Sequence, residues 1–220
     1  MNSFYVSGPA SLKNAHVLYG GAQALLRRAA EAAQAKSHDG EESARSAGHD
    51  EVAALKRFAD EAGLWMEGAA VRAYMRMKEH VMKGGSEHRV ALWRGTRVLK
   101  DLAVQAQATE SLFDYLTDHL LANHLFGDDV CLEGFFEDDR MLHIVVSQPL
   151  VVGRHPVWRE LVEGLSRQGL ILENPGSKLP VFNVIVAKEG GFIHPIDAHF
   201  YFDDQAARID ALKRLGILGP

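Results

Sequence analysis

Near Glu79 the spacing of apolar residues changes from helical to alternating, and this divides the chain into a helical first third and a strand-rich remainder. Residues 11 to 36 are rich in alanine and leucine, with Leu12, Ala15, Val17, Leu18, Ala22, Leu25, Leu26 and Ala29 at helical intervals. The stretch from Ser37 to His49 holds no aliphatic side chain larger than alanine and reads as a mobile linker. Asp50 is the expected cap of a helix reaching about Gly63, with Val52, Leu55, Phe58 and Ala59 on one face. A second helix is expected from Glu67 to Tyr74, the two forming a brace for the sheet that follows.

Downstream of Glu79, His80 to Met82 and Arg89 to Trp93 read as a hairpin and Arg97 to Leu102 as a third strand. Thr109 to Leu125 reads as an amphipathic helix with Leu112, Tyr115, Leu116, His119, Leu120 and His124 on one side. Two more strands, Val130 to Phe136 and Met141 to Val146, flank the turn Glu137-Asp138-Asp139-Arg140. After the strand exit Ser147-Gln148-Pro149-Leu150, a helix from about His155 to Gln168 carries Trp158, Leu161, Val162 and Leu165, and Asn174-Pro175-Gly176-Ser177 breaks the chain. Val181 to Val186 and Phe192 to Ile196 form a second hairpin around Lys188-Glu189-Gly190-Gly191, and Gln205 to Leu215 is a last helix ended by Gly216. No internal repeat is present, which excludes a solenoid.

With 220 residues, 47% hydrophobic and 24% charged, the chain suits one or two globular units with a real core. A diffuse net charge of −5 argues against a nucleic-acid partner, which calls for a clustered basic face. The single cysteine, Cys131, lies in the apolar run Val130-Cys131-Leu132 and reads as a buried, inert thiol that fits a reducing cytoplasm. No apolar run reaches bilayer-spanning length, and Met1 to Ala10 lacks the basic-then-apolar pattern of a secretion signal, so a cytoplasmic protein without a membrane partner is expected.

The segment Gly84-Gly85-Ser86-Glu87-His88-Arg89-Val90 is a glycine-rich turn between strands, and Lys100 follows on the next strand within Val98-Leu99-Lys100. Two readings stand. Gly-Gly is at home in an ordinary surface hairpin. Alternatively, the glycines let backbone amides approach phosphate groups while the lysine supplies a fixed positive charge.

The landmarks that follow decide which reading to carry forward. The order of Gly84 to Val90, Val98-Leu99-Lys100, Tyr115-Leu116, Asn123-His124-Leu125-Phe126-Gly127-Asp128, Ser147-Gln148-Pro149, Phe182-Asn183-Val184 and Pro195-Ile196-Asp197 resembles the protein kinase-like domain found in polyvalent proteins of phages and conjugative elements. The resemblance covers residues from about 55 to 204. Ala62-Gly63-Leu64-Trp65 resembles that family's lead-in helix, and residues 1 to 50 fall outside it.

The resemblance implies an α+β, kinase-like fold. It has a helical N-terminal extension and linker (1–50), a helical brace (51–78), a five-stranded antiparallel small lobe with one helix (79–147) and an abbreviated, helical large lobe (148–220). It also implies ATP and Mg²⁺ as ligands, in a cell of bacterial or phage-infected type. Gly84, Gly85 and Ser86 would cover the phosphates, Lys100 would contact them, and the backbone from Gln148 to Leu150 would meet the adenine edge. Asn183 and Asp197 would hold the metal, an oxygen-donor pair suited to a hard cation. The acid that fixes Lys100 is ambiguous: Asp118 stands near the usual interval, Asp114 and Glu110 lie one and two turns earlier, and the solvated side of an amphipathic helix explains all three. Asp118 is preferred.

One position departs from the family pattern. Five residues before Asn183, where the family carries the aspartate that accepts the substrate proton, this chain has Lys178. A lysine accepts no proton at neutral pH unless its pKa is strongly depressed, so no proton acceptor is assigned. Phosphotransfer to a protein or small-molecule hydroxyl therefore stands beside a second reading, a catalytically inactive pseudokinase that engages a host protein partner. A third, metal-dependent hydrolysis, rests on His194, Asp197 and His199, which a bulge would have to gather because 194 faces away from 197 and 199 on a strand. His119 and His124 miss the spacing of paired zinc ligands, and Ser86 and Ser147 lack a nucleophile signature. Asp203 and Asp204 read as the start of the last helix, and Trp65, Trp93 and Trp158 as packing residues.

Overall fold

Alanine-rich helices can approach one another closely, and the first two elements do so. The structure, a computed structural model, describes residues 21–37, 44–82, 88–104, 111–166, 184–196, 205–214 and 216–219. Helices α1 (Ala22–Ser37) and α2 (Ala44–Ala62) pack together. Leu25, Leu26, Ala29, Ala30 and Ala33 form a fully buried stripe on α1, and Leu55 and Ala59 are fully buried on α2. Helix α2 starts at Ala44, so Asp50 lies within it and does not cap it. Alanines and arginine around Gly48 sustain the helix through a stretch whose polarity alone suggests a linker. Of that linker, residues 38–43 lie outside the described residues, as do residues 11–20 of the first expected helix.

Gly63 closes α2 with φ of +62°. Its amide donates to Asp60 O at 3.3 Å and Leu64 N to Ala59 O at 2.9 Å, the paired bonds of a Schellman motif. A third helix, α3 (Gly68–Arg76), follows, then strands β1 (His88–Trp93) and β2 (Arg97–Ala103), helix α4 (Leu112–Phe126), and strands β3 (Cys131–Asp138) and β4 (Met141–Pro149). The four strands form one antiparallel sheet in the order β1-β2-β4-β3. Its hairpin between Asp138 and Met141 turns through Asp139 and Arg140, both left-handed at φ of 48° and 68°, a type I′ turn. Instead of a fifth strand, His80 to Met82 contributes an isolated bridge, Val81 to Ala91, held by Leu92 N to His80 O at 2.7 Å and Met82 N to Val90 O at 3.2 Å. The glycine turn, residues 83–87, lies outside the described residues.

Helix α3 covers one face of this sheet, where Val71 and Met75 meet Ala91, Trp93, Leu99, Phe136 and Val145. The chain just before α3 is tied to β3 by Phe135 N to Leu64 O at 2.9 Å and Met66 N to Phe135 O at 2.7 Å. Gly134 permits this approach. Its φ is +152°, and an added Cβ would stand 2.6 Å from Leu64 O.

By backbone contacts the chain divides into two units, 1–114 with 130–149 and 115–129 with 150–220. The second contains a small antiparallel sheet, β5 (Gly153–Arg154), β6 (Val184–Ala187) and β7 (Ile193–Pro195), in that order. Its helices beyond α4 are α5 (Trp158–Ser166) and α6 (Gln205–Arg214). Leu161 anchors α5 with no exposure, whereas Trp158 is 46% exposed and is not a core residue. Glu160 accepts from Val157 N at 2.9 Å and from Arg154 at 2.5 and 2.7 Å, and the Arg154 hydrogen bonds hold its carboxyl down at about 2. Gly216, at φ of +67°, ends α6 as expected.

Helix α4 departs most from its sequence pattern. It is buried nearly all round, with Phe113, Leu116, Thr117, Asp118 and Leu121 all at or below 3% exposure, so it has no solvated acidic face. Its first turn is capped twice. Asp114 N donates to Ser111 Oγ at 3.0 Å, and the carboxylate of Glu51, from α2, accepts from Leu112 N at 3.1 Å and Phe113 N at 3.4 Å. Burial pushes Glu51's carboxyl above its ordinary 4.5, the two amide hydrogen bonds pull it down, and Asp114 adds a smaller upward push.

Glu51→Ala is expected to cost about 1–3 kcal/mol, read from the urea midpoint, because two buried amides lose their acceptor. With a raised folded-state pKa, Glu51's proton contributes stability that is fully present below the unfolded value and lost as pH rises through the folded one. Glu51→Gln, which does not titrate, should remove that fall in stability above about pH 4.5, checked by thermal midpoints of both proteins across the range.

Candidate functional site

Side chains alternate across a strand, so β2 sends neighbouring residues to opposite faces. Lys100 pairs with Val90 on β1 and Val146 on β4, which places it on an interior strand between two valines. It shares its face with Val98 and Leu102, while Leu99 and Asp101 point to the face covered by α3. Gln148 stands directly across from Val98, so Lys100 and Gln148 occupy one face, diagonal to each other. Both are buried, at 6% and 5% exposure, and Lys100 is not without a partner. An ammonium group removed from water is costly to hold, which marks Lys100 as more than a surface charge.

The opposite face holds a buried pair that the sequence pattern does not reveal. Asp101 Oδ1 lies 2.7 Å from His143 Nδ1, at 2% and 1% exposure, with the Phe136 ring stacked on the imidazole at 4.2 Å. The residues are 42 apart in sequence, and only the β2–β4 register brings them together. At the end of the same sheet Arg97 donates through Nε to Ser147 Oγ at 3.0 Å and through Nη2 to Ser147 O at 3.1 Å. Ser147 Oγ donates to Glu133 at 2.6 Å. Arg97 Nη2 also lies 3.2 Å from Cys131 Sγ. Cys131 is half-buried beside this guanidinium, which corrects the expectation of a buried thiol.

In the second unit, buried Asp128 places Oδ1 2.6 Å from His194 Nδ1. This contact gives His194 a partner within the second unit. Asp197 and His199, the other members of the metal-hydrolase constellation, lie outside the described residues, and among those residues no group of three His, Cys, Asp or Glu side chains could hold a metal ion.

Of the remaining sequence-assigned positions, Asp118 is 3% exposed, Asp114 is half-buried and Leu150 is half-buried at the strand exit. Gly84, Gly85, Ser86, Glu110, Lys178, Asn183 and Asp197 lie outside the described residues, as do Asp203 and Asp204. The chain enters β6 one residue after Asn183 and leaves β7 two residues before Asp197, and Val184 pairs with Pro195 at that end of the hairpin. Among the described residues no helix is long and apolar enough to cross a membrane.

The site thus lies on an antiparallel sheet braced on one face by a helix, with Lys100 buried on an interior strand. Residues 48–176, more than half of the chain, match the family described as serine/threonine/tyrosine kinase found in polyvalent proteins, and the chain belongs to that family. The match takes in Lys100, Asp118 and Gln148 and stops before Lys178, Asn183 and Asp197. No significant match is found among curated proteins or solved structures.

His194→Ala should destabilise the fold by about 1–3 kcal/mol, because the buried Asp128 carboxylate loses a hydrogen-bond partner. Urea unfolding of the variant against the parent measures it.

Proposed function

We propose that this kinase-family chain binds ATP together with Mg²⁺ on the sheet face that carries Lys100. In this reading the γ-phosphoryl group passes to a protein or small-molecule hydroxyl. The observation that carries the reading is Lys100 itself, 6% exposed on an interior strand. A lysine on an interior strand behind a glycine-rich turn is where a kinase-type fold contacts the nucleotide phosphates. Val98 offers an apolar floor beside it, and the strand exit from Gln148 to Leu150 offers polar backbone for the base. Asn183 and Asp197, to which the resemblance assigns the metal, would hold Mg²⁺, which would supply charge neutralisation at the phosphates. The second reading, nucleotide binding without turnover in a protein-interaction module, is favoured by Lys178 at the proton-acceptor position.

The test is a thermal-shift titration with ATP and Mg²⁺, separately and together. A ligand at a hundred times its Kd stabilises by about 2.7 kcal/mol, which for a chain of this size raises the midpoint by about 5–10 °C. The shift is expected to require both ligands and to vanish in Lys100→Ala and Asp197→Ala. An undiminished shift in both variants sinks the assignment. Transfer of radiolabelled γ-phosphate by the unsubstituted chain separates the active from the inactive reading.

A further inference from the structure

We infer that His143 is a positioning residue for Lys100: by its bond to Asp101 it holds the stretch of β2 that presents the lysine to phosphate groups. This rests on the nucleotide reading above. Strand β4 is buried from Leu142 to Gln148, and Leu142, Ile144, Val145 and Val146 fill most of that run with aliphatic side chains. An imidazole at 143 interrupts it. His143 is 1% exposed, its Nε2 is sealed from solvent without a hydrogen-bond partner among the described residues, and the Phe136 ring lies stacked on it. Its polar tie among those residues is Nδ1 to Asp101 Oδ1 at 2.7 Å.

A tie of this kind is a poor way to stabilise a core. Both partners give up water, and the imidazole leaves one nitrogen with nothing in exchange. Two apolar side chains would fill the same layer, beside Leu99 and Val145, without either loss. What the polar pair adds is direction, because a hydrogen bond needs its atoms at a set distance and angle whereas aliphatic contacts can slide. Asp101 stands opposite Val145 and His143 opposite Ala103, so the bond runs diagonally from β2 to β4.

Lys100 is bracketed by two such ties. Before it on the strand, Arg97 donates to Ser147 Oγ at 3.0 Å and to Ser147 O at 3.1 Å, and directly after it Asp101 is held by His143. Both ties join β2 to β4 on the face opposite Lys100, because 97, 99 and 101 alternate with 98 and 100. Neither reaches the lysine's own face. Together they fix the backbone from which its long stem extends. A binding group performs when neighbours that never touch the ligand hold it within about 0.5 Å of its productive place. At metal sites the loss of such a supporting partner weakens binding by about ten- to a hundredfold, and the same scale is expected here.

The experiment measures affinity for ATP with Mg²⁺ by calorimetric titration of the unsubstituted chain, the double variant Asp101→Val with His143→Leu, Asp101→Asn, and Met75→Ala. Circular dichroism checks that each is folded. The doubly apolar variant strands no charge and should bind more weakly by about tenfold or more. Asp101→Asn keeps the accepting oxygen and should stay close to the parent. Met75→Ala thins the same layer from α3 without touching the tie, and it too should bind as the parent does. Parental affinity in the doubly apolar variant overturns the inference, and so does an equal loss in Met75→Ala, since any damage to the layer would then suffice. Failure of the unsubstituted chain to bind ATP with Mg²⁺ overturns the nucleotide reading and this inference with it. Should the doubly apolar variant not fold, the imidazole ¹⁵N resonances of the unsubstituted protein decide: the proton is expected on Nδ1, where it meets Asp101, with Nε2 bare, and a proton on Nε2 alone overturns the inference.

Discussion

Strand β2 carries Lys100 and Asp101 side by side, and the pleat sends one to each face of a sheet that leaves both out of water. Each charge requires its own surroundings. Asp101 meets His143 under the Phe136 ring, and Arg97 at the start of the strand meets Ser147. A one-residue slip of β2 would turn Lys100 into the apolar layer of Val71, Met75 and Val145 and strip Asp101 of its imidazole. The charges therefore fix the register that the surrounding leucines and valines would tolerate less strictly.

That register also arranges the two faces of the sheet. It sets Lys100, Val98 and Gln148 on one face and keeps the α3-covered core on the other. The helices before the sheet serve the same end. Helix α3 covers its core face, and Gly134 lets the segment after α2 approach β3 closely. Residues 48–176, which match the kinase family, take in the whole of this sheet.

Much of this fold is legible in the order and spacing of its residues. The type I′ turn at Asp139-Arg140, the β6–β7 hairpin and the Gly63 and Gly216 helix ends all carry local signals that act within a few residues. Lys100 is legible as a strand residue through the alternation around it. What is illegible is non-local. Asp101 and His143 sit in strands whose pairing must be known first, and Glu51 gives no hint that it serves a helix beginning at Leu112. Helix α4 misleads because Asp118 and Thr117 look like a solvated face and are buried. Polarity likewise hides the first turn of α2, whose alanines outweigh Gly48.

The Glu51 contact orders events in time. Its carboxylate precedes the Leu112 amide it receives by 61 residues, so during synthesis it emerges long before the helix it serves exists. Until then the acid is solvated and negatively charged, and the first turn of α4, when it appears, has Ser111 as its local cap. Docking of α2 therefore adds a second, distant acceptor to a turn that Ser111 already caps, so the start of α4 reports on whether α2 is in place.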